Sequence, residues 1–217
     1  LEKHSLKNLD GCKQLIFFPL HVQPEGTFTL NAPFLTNQLE VINHISKSIP
    51  INYTLLIKEH PVMNTRGYRD LSFYREISRL PNVKLVSTNM PSNEIIKKSD
   101  LVVTITGTAG LEAAFYGKPS IVLANVMFED IKSVSKIKHI DNLSKTIKNS
   151  LTEKITPQDL IEYIYNTEKN SFGDPERDLF YKIVAGDKSD NIPAIFKRGG
   201  KKKIMKCYDD FEYLKEM

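Results

Sequence analysis

Short apolar runs rich in β-branched and aromatic residues alternate along this chain with segments whose apolar positions recur at helical spacing. Residues 14–20 (QLIFFPL) predict a first strand, 53–57 a second, 83–86 a third, 101–105 (LVVTI) a fourth and 120–123 a fifth. Between and after them the spacing predicts helices over 34–48, 72–80, 91–98, a stretch opening at Leu111 and stopped by Gly117-Lys118-Pro119, then 141–151 and 157–168. Residues 1–12 read as a polar lead-in and 21–26 as a loop. Strands alternating with helices at this rhythm predict an α/β fold, a Rossmann-like parallel sheet covered on both faces. In such sheets ligands sit beyond the C-terminal ends of the strands.

Three polar clusters follow predicted strands: His21 to Glu25, then Lys58-Glu59-His60, then Thr106 to Glu112. They are expected to converge on one edge of the sheet. Pro61 ends the second strand, so its three polar residues are expected at the tip. The third cluster, Thr106-Gly107-Thr108-Ala109-Gly110, joins a buried strand to a helix. Such a turn exposes backbone N–H groups at the positive end of the helix dipole and suits a phosphate. Glu112, in the first helical turn, is placed to accept hydrogen bonds from sugar hydroxyls. Each cluster also has a plainer explanation. The glycines allow close packing in any βαβ turn, His60 can cap its own loop, and Lys58 can pair with Glu59 or Glu112.

Composition narrows the class. A chain of 217 residues, 41% hydrophobic and 26% charged, describes a globular protein with a real core, and no run is long and apolar enough for a membrane span. Cys12 and Cys207 lie far apart without metal-ligand spacing, which fits a reduced protein, cytoplasmic or peripheral at the inner membrane. The net charge of +4 is unevenly spread: Lys197, Arg198, Lys201, Lys202, Lys203 and Lys206 stand together with no acid among them. Past residue 170 no strand is predicted. The expected division is a Rossmann-like domain over 1–172 and a helical, basic segment over 173–217.

Residues 13–172 resemble the capsule polysaccharide biosynthesis glycosyltransferases, relatives of the Kdo transferases with a GT-B architecture. The resemblance rests on FPLHVQPEG at 18–26, IKEHP at 57–61 and VTITGTAGLEAAFYGKPSIV at 103–122, in that order. It implies a donor domain that binds a CMP- or UDP-linked sugar and delivers it to a glycan acceptor without a required cofactor. Lys58, His60, Thr106, Gly107, Thr108, Ala109 and Gly110 would hold the phosphate, Glu112 the ribose or sugar, and His21 and Glu25 would lie at the sugar end as candidate bases. A complete GT-B enzyme has two such domains and this sequence shows one, so donor binding is expected without independent turnover. Residues 178–217 resemble the helix–turn–helix region of 5′-3′ exonucleases and flap endonucleases, through GDKSDNIP at 186–193 and the Gly199-Gly200 turn. That resemblance implies a divalent cation such as Mg at Asp187 and Asp190, and DNA held by Lys197, Arg198, Gly199, Gly200, Lys201 and Lys202. The alternatives to glycosyl transfer are therefore a DNA-binding nuclease fragment and a sugar-nucleotide epimerase-like enzyme.

Overall fold

The computed structural model describes residues 5–66 and 69–170. Residues 1–155 form one compact unit, and 156–217 a second of which the helix Pro157–Asn170 is described. The first unit is built on six strands, β1 (Leu15–Pro19), β2 (Thr54–Lys58), β3 (Val83–Val86), β4 (Leu101–Thr104), β5 (Ser120–Val122) and β6 (Val134–Lys136). They lie in the order β3-β2-β1-β4-β5-β6 and every neighbouring pair is parallel. The chain therefore winds outward from β1 to β3, returns to lay β4 against the other side of β1, and winds outward again.

Alternate residues of each strand face opposite layers. Ile16, Phe18, Leu55, Ile57, Leu101 and Val103 join one buried cluster with Val41, Ile42 and Ile45 of α2 (Gln38–Ser48). Tyr74 and Ile77 of α4 (Leu71–Arg79) and Ile147 of α7 (Leu143–Ser150) complete it. Leu15, Phe17, Leu56 and Val102 face the other way, onto Ile95 and Ile96 of α5 (Ser92–Lys98) and Ala109 and Ala113 of α6 (Ala109–Phe115). Burial on both faces explains why β1, β2 and β4 are nearly continuously apolar instead of alternating.

Several expectations change. The helix predicted over 34–48 is split: a 3₁₀ turn at Pro33–Leu35 precedes α2, which begins at Gln38 with Asn37 accepting from the Glu40 amide at 3.4 Å. Phe34 is almost fully exposed, so it does not belong to the apolar stripe it extended. The loop expected over 21–26 ends in a short helix, α1 (Gly26–Asn31), and α3 (Met63–Arg66) adds another after β2. The sheet also gains β6, whose Ser135 pairs with Ile121. The polar lead-in contributes too, since Leu6 bridges to Val86 at the β3 edge and Leu9 is buried.

Candidate functional site

The sheet reverses its winding between β1 and β4, and loops leaving two strands at such a point diverge and open a crevice. The loop after β1 carries His21 and the loop after β4 carries Thr106-Gly107. They meet directly, the Thr106 amide donating to His21 Nε2 at 3.1 Å. The Gly107 amide donates to Thr104 Oγ1 at 3.0 Å. A Cβ on Gly107 would lie 2.7 Å from that same oxygen and 3.4 Å from His21 Nε2. Glycine is thus required here by close approach. At Gly110 a Cβ would meet the Phe128 ring at 3.0 Å.

Two of the turn's amides are therefore committed internally, and Gly110 donates to the Gly107 carbonyl at 3.2 Å. The Thr108 and Ala109 amides have no acceptor among the described residues. Thr108 Oγ1 donates to Glu112 Oε1 at 3.1 Å, which fixes the carboxylate over the first turn of α6. Lys58, at the end of β2, is buried and donates from Nζ to Ser92 Oγ at 3.0 Å. Burial lowers its pKa, while the charge of Glu112 acts in the opposite direction. Of the two ion-pair partners that a plainer explanation offered Lys58, Glu59 pairs with Arg69 instead, and Glu112 acts on it only through its charge.

Glu59 does not project from the strand tip as expected. It is buried, with Oε2 accepting from Arg69 Nε at 2.9 Å and from the Tyr74 hydroxyl at 2.7 Å, and Oε1 accepting from the His60 amide at 2.8 Å. Burial and the Glu59 charge raise the Tyr74 pKa. His60 caps its own loop through Nδ1, which accepts from the Val62 amide at 3.2 Å.

His21 is buried, and its ring stacks on Phe28 with centroids 4.9 Å apart. Burial, then the charges of Arg69 and His60, lower its pKa from 6.5 to about 4. The ring is neutral near pH 7, and because Nε2 accepts from an amide its proton resides on Nδ1. Nδ1 is itself buried, with no hydrogen-bond partner among the described residues. In this geometry Nε2 is taken up by the Thr106 amide and Nδ1 faces the interior. The ring ties the β1 loop to the β4 turn. Glu25 is exposed, and its carboxylate makes no capping bond to α1.

Two residues that sequence reasoning missed hold this loop. Gln38 is buried and brackets His21, accepting from its amide at 2.8 Å and donating to its carbonyl at 3.0 Å. Arg69 also donates to the His21 carbonyl and, at 2.6 Å, to Gln23 Oε1. A glutamine opening an apolar helix and an arginine preceding a helix cap carry no pattern that marks such roles. Asp187, Asp190, Lys197, Arg198, Gly199, Gly200, Lys201 and Lys202 lie outside the described residues. Among the described residues no cluster of three or more His, Cys, Asp or Glu could hold a metal ion, and no helix is long and apolar enough to cross a membrane.

Residues 3–168 match the family model described as capsule polysaccharide biosynthesis protein. The chain belongs to that family. Within reach of it, 108 residues are 32% identical to the capsule polysaccharide export protein KpsS of Escherichia coli, covering 46% of this chain and 26% of KpsS. Over 189 residues it is 25% identical to protein FixF of Sinorhizobium fredii, covering 84% of this chain and 45% of FixF. The chain thus spans about a quarter of KpsS and under half of FixF. Among solved structures, UDP-GlcNAc 2-epimerase of Methanocaldococcus jannaschii is similar with a TM-score of 0.51 at 15% identity, over 66% of this chain and 40% of the epimerase. The beta Kdo 2,7 transferase KpsC of Thermosulfurimonas dismutans aligns with a TM-score of 0.48 at 19% identity, over 70% and 45% of the two chains. The epimerase likeness is one of fold. The family match does not extend past residue 168, so the nuclease resemblance of the C-terminal segment gains no support.

Proposed function

We propose that this chain is the donor-binding domain of a capsule polysaccharide glycosyltransferase and that its switch-point crevice holds a nucleotide sugar. The observation that carries this reading is the turn after β4, braced by His21 and Thr104, in which the Thr108 and Ala109 amides have no acceptor among the described residues and stand beside Glu112. Backbone amides and the Lys58 ammonium favour a phosphate oxygen, and they do so most strongly as charge develops on the departing phosphate. In the transfer, the bond from the anomeric carbon to the phosphate oxygen breaks with its electron pair leaving on phosphate. The acceptor oxygen bonds to that carbon and its proton passes to a base, for which the exposed Glu25 is the candidate. Glu112 receives hydrogen bonds from ribose or sugar hydroxyls. Family membership supports the polysaccharide context, and the M. jannaschii epimerase, solved with UDP-GlcNAc and UDP, shares the fold.

Thermal unfolding in the presence of CMP, UDP, GDP and their sugars tests the reading. A ligand at a hundred times its Kd adds ~2.7 kcal/mol of stability. One nucleotide is expected to raise the midpoint of the wild type and to raise that of Glu112→Ala much less. No shift with any of them would sink the proposal, and conversion of UDP-GlcNAc in the absence of an acceptor would assign an epimerase instead.

A further inference from the structure

The backbone of His21 is gripped twice, by Gln38 of α2 and by Arg69 ahead of α4. Arg69 is itself fixed on three sides: its Nε pairs with buried Glu59, its second nitrogen reaches Gln23, and its guanidinium lies 5.1 Å from the centroid of the Phe73 ring. Glu59 is anchored in turn by the Tyr74 hydroxyl and the His60 amide. A planar fork with several donors can hold a carboxylate, an amide oxygen and a backbone carbonyl together, and an ammonium cannot. The end of this chain of contacts is the His21 imidazole, whose Nε2 sets the position of the Thr106 amide and hence of the turn.

We propose that Arg69 is a positioning residue for the crevice. It fixes the β1 loop so that His21 stays in a single tautomer and braces the Thr106–Gly107 turn, without touching a ligand. The ligand part of this inference rests on the nucleotide-sugar reading, and the tautomer part does not. The experiment follows the His21 ring nitrogens of the full chain by long-range ¹H–¹⁵N correlation near pH 7.5, and the Kd for CMP and UDP by calorimetry. The variants are Arg69→Lys, which keeps a charge for Glu59, and the doubly neutral Arg69→Met/Glu59→Gln, which leaves no buried charge unpaired.

In the wild type, the spectrum is expected to show one protonated nitrogen, Nδ1, and one unprotonated, Nε2. Both variants are expected to fold by circular dichroism and to show averaged nitrogen shifts, partly in Arg69→Lys and fully in the double variant. Nucleotide affinity is expected to fall about tenfold or more, because displacement of a positioning loop by around 1 Å is enough for that. A folded variant, either one, that keeps the wild-type His21 signature overturns the inference whatever its affinity. If the wild type binds neither nucleotide, the donor-domain reading fails, and the ring signature alone still decides the role of Arg69.

Discussion

Acidification tests the buried state of His21. In the folded chain its pKa is lowered from 6.5 to about 4, chiefly by burial. Between those values the unfolded chain binds more protons at this site than the folded one, so the site's contribution to stability rises with pH across that window. It is fully present above about 6.5, declines as pH falls, and levels off near 4. At ~1.4 kcal/mol per pH unit, the separation of the two values corresponds to a loss of ~3 kcal/mol, a large fraction of a typical domain's stability. Carboxylates titrate around the lower end of this window, so the comparison must be with His21→Gln, whose amide oxygen can still accept from Thr106 but cannot protonate. The chain has no tryptophan. Urea unfolding is therefore followed by far-UV circular dichroism at intervals from pH 7.5 to 4. The stability of the wild type relative to His21→Gln is expected to fall by ~3 kcal/mol over that range. Parallel curves for the two proteins would refute the buried, neutral imidazole and with it the brace on the turn.

Further outcomes follow from individual contacts. Gly107→Ala places a methyl 2.7 Å from Thr104 Oγ1 and is expected to cost ~1–3 kcal/mol in urea unfolding, with loss of any nucleotide-induced stabilisation. Tyr74→Phe removes one donor from the buried Glu59 carboxylate and is expected to cost ~1.5–3 kcal/mol by the same measurement. Phe17→Ala empties a fully buried position between β1 and the α5–α6 layer and is expected to cost ~3–5 kcal/mol, read as a lower thermal midpoint. Stability unchanged in any one of these variants would contradict the contact assigned to that residue.

Most strands were legible because a sheet buried on both faces demands continuous apolar runs, and β1, β2, β4 and β5 come close to one between clear stops, while the edge strand β3 is broken by the exposed Lys84. β6 was not, because Val134-Ser135-Lys136 carries one buried apolar residue and is held by pairing with β5 rather than by its own composition. Phe34 misled the helix boundary for a related reason: helical spacing records which residues are apolar, not which are covered, and this one is exposed. At the site, sequence order was enough to bring the clusters after β1, β2 and β4 to neighbouring strand ends. It was not enough to assign partners. Glu59 and Lys58 look alike as polar residues at a strand tip. One is buried against an arginine ten residues on, and the other reaches a serine in α5. Only the folded chain shows that the His21 ring stacks on Phe28 and accepts from the Thr106 amide.

The central claim is that the turn after β4 receives a phosphate on amides that the fold leaves without acceptors. Backbone ¹H–¹⁵N spectra of the full chain, recorded while CMP and then UDP are added, address it most directly. The account predicts the largest shifts at Thr108 and Ala109, saturating with added nucleotide, and smaller ones at Glu112 and the β1 loop. Saturable shifts confined to other parts of the sheet, or none with either nucleotide, would contradict it.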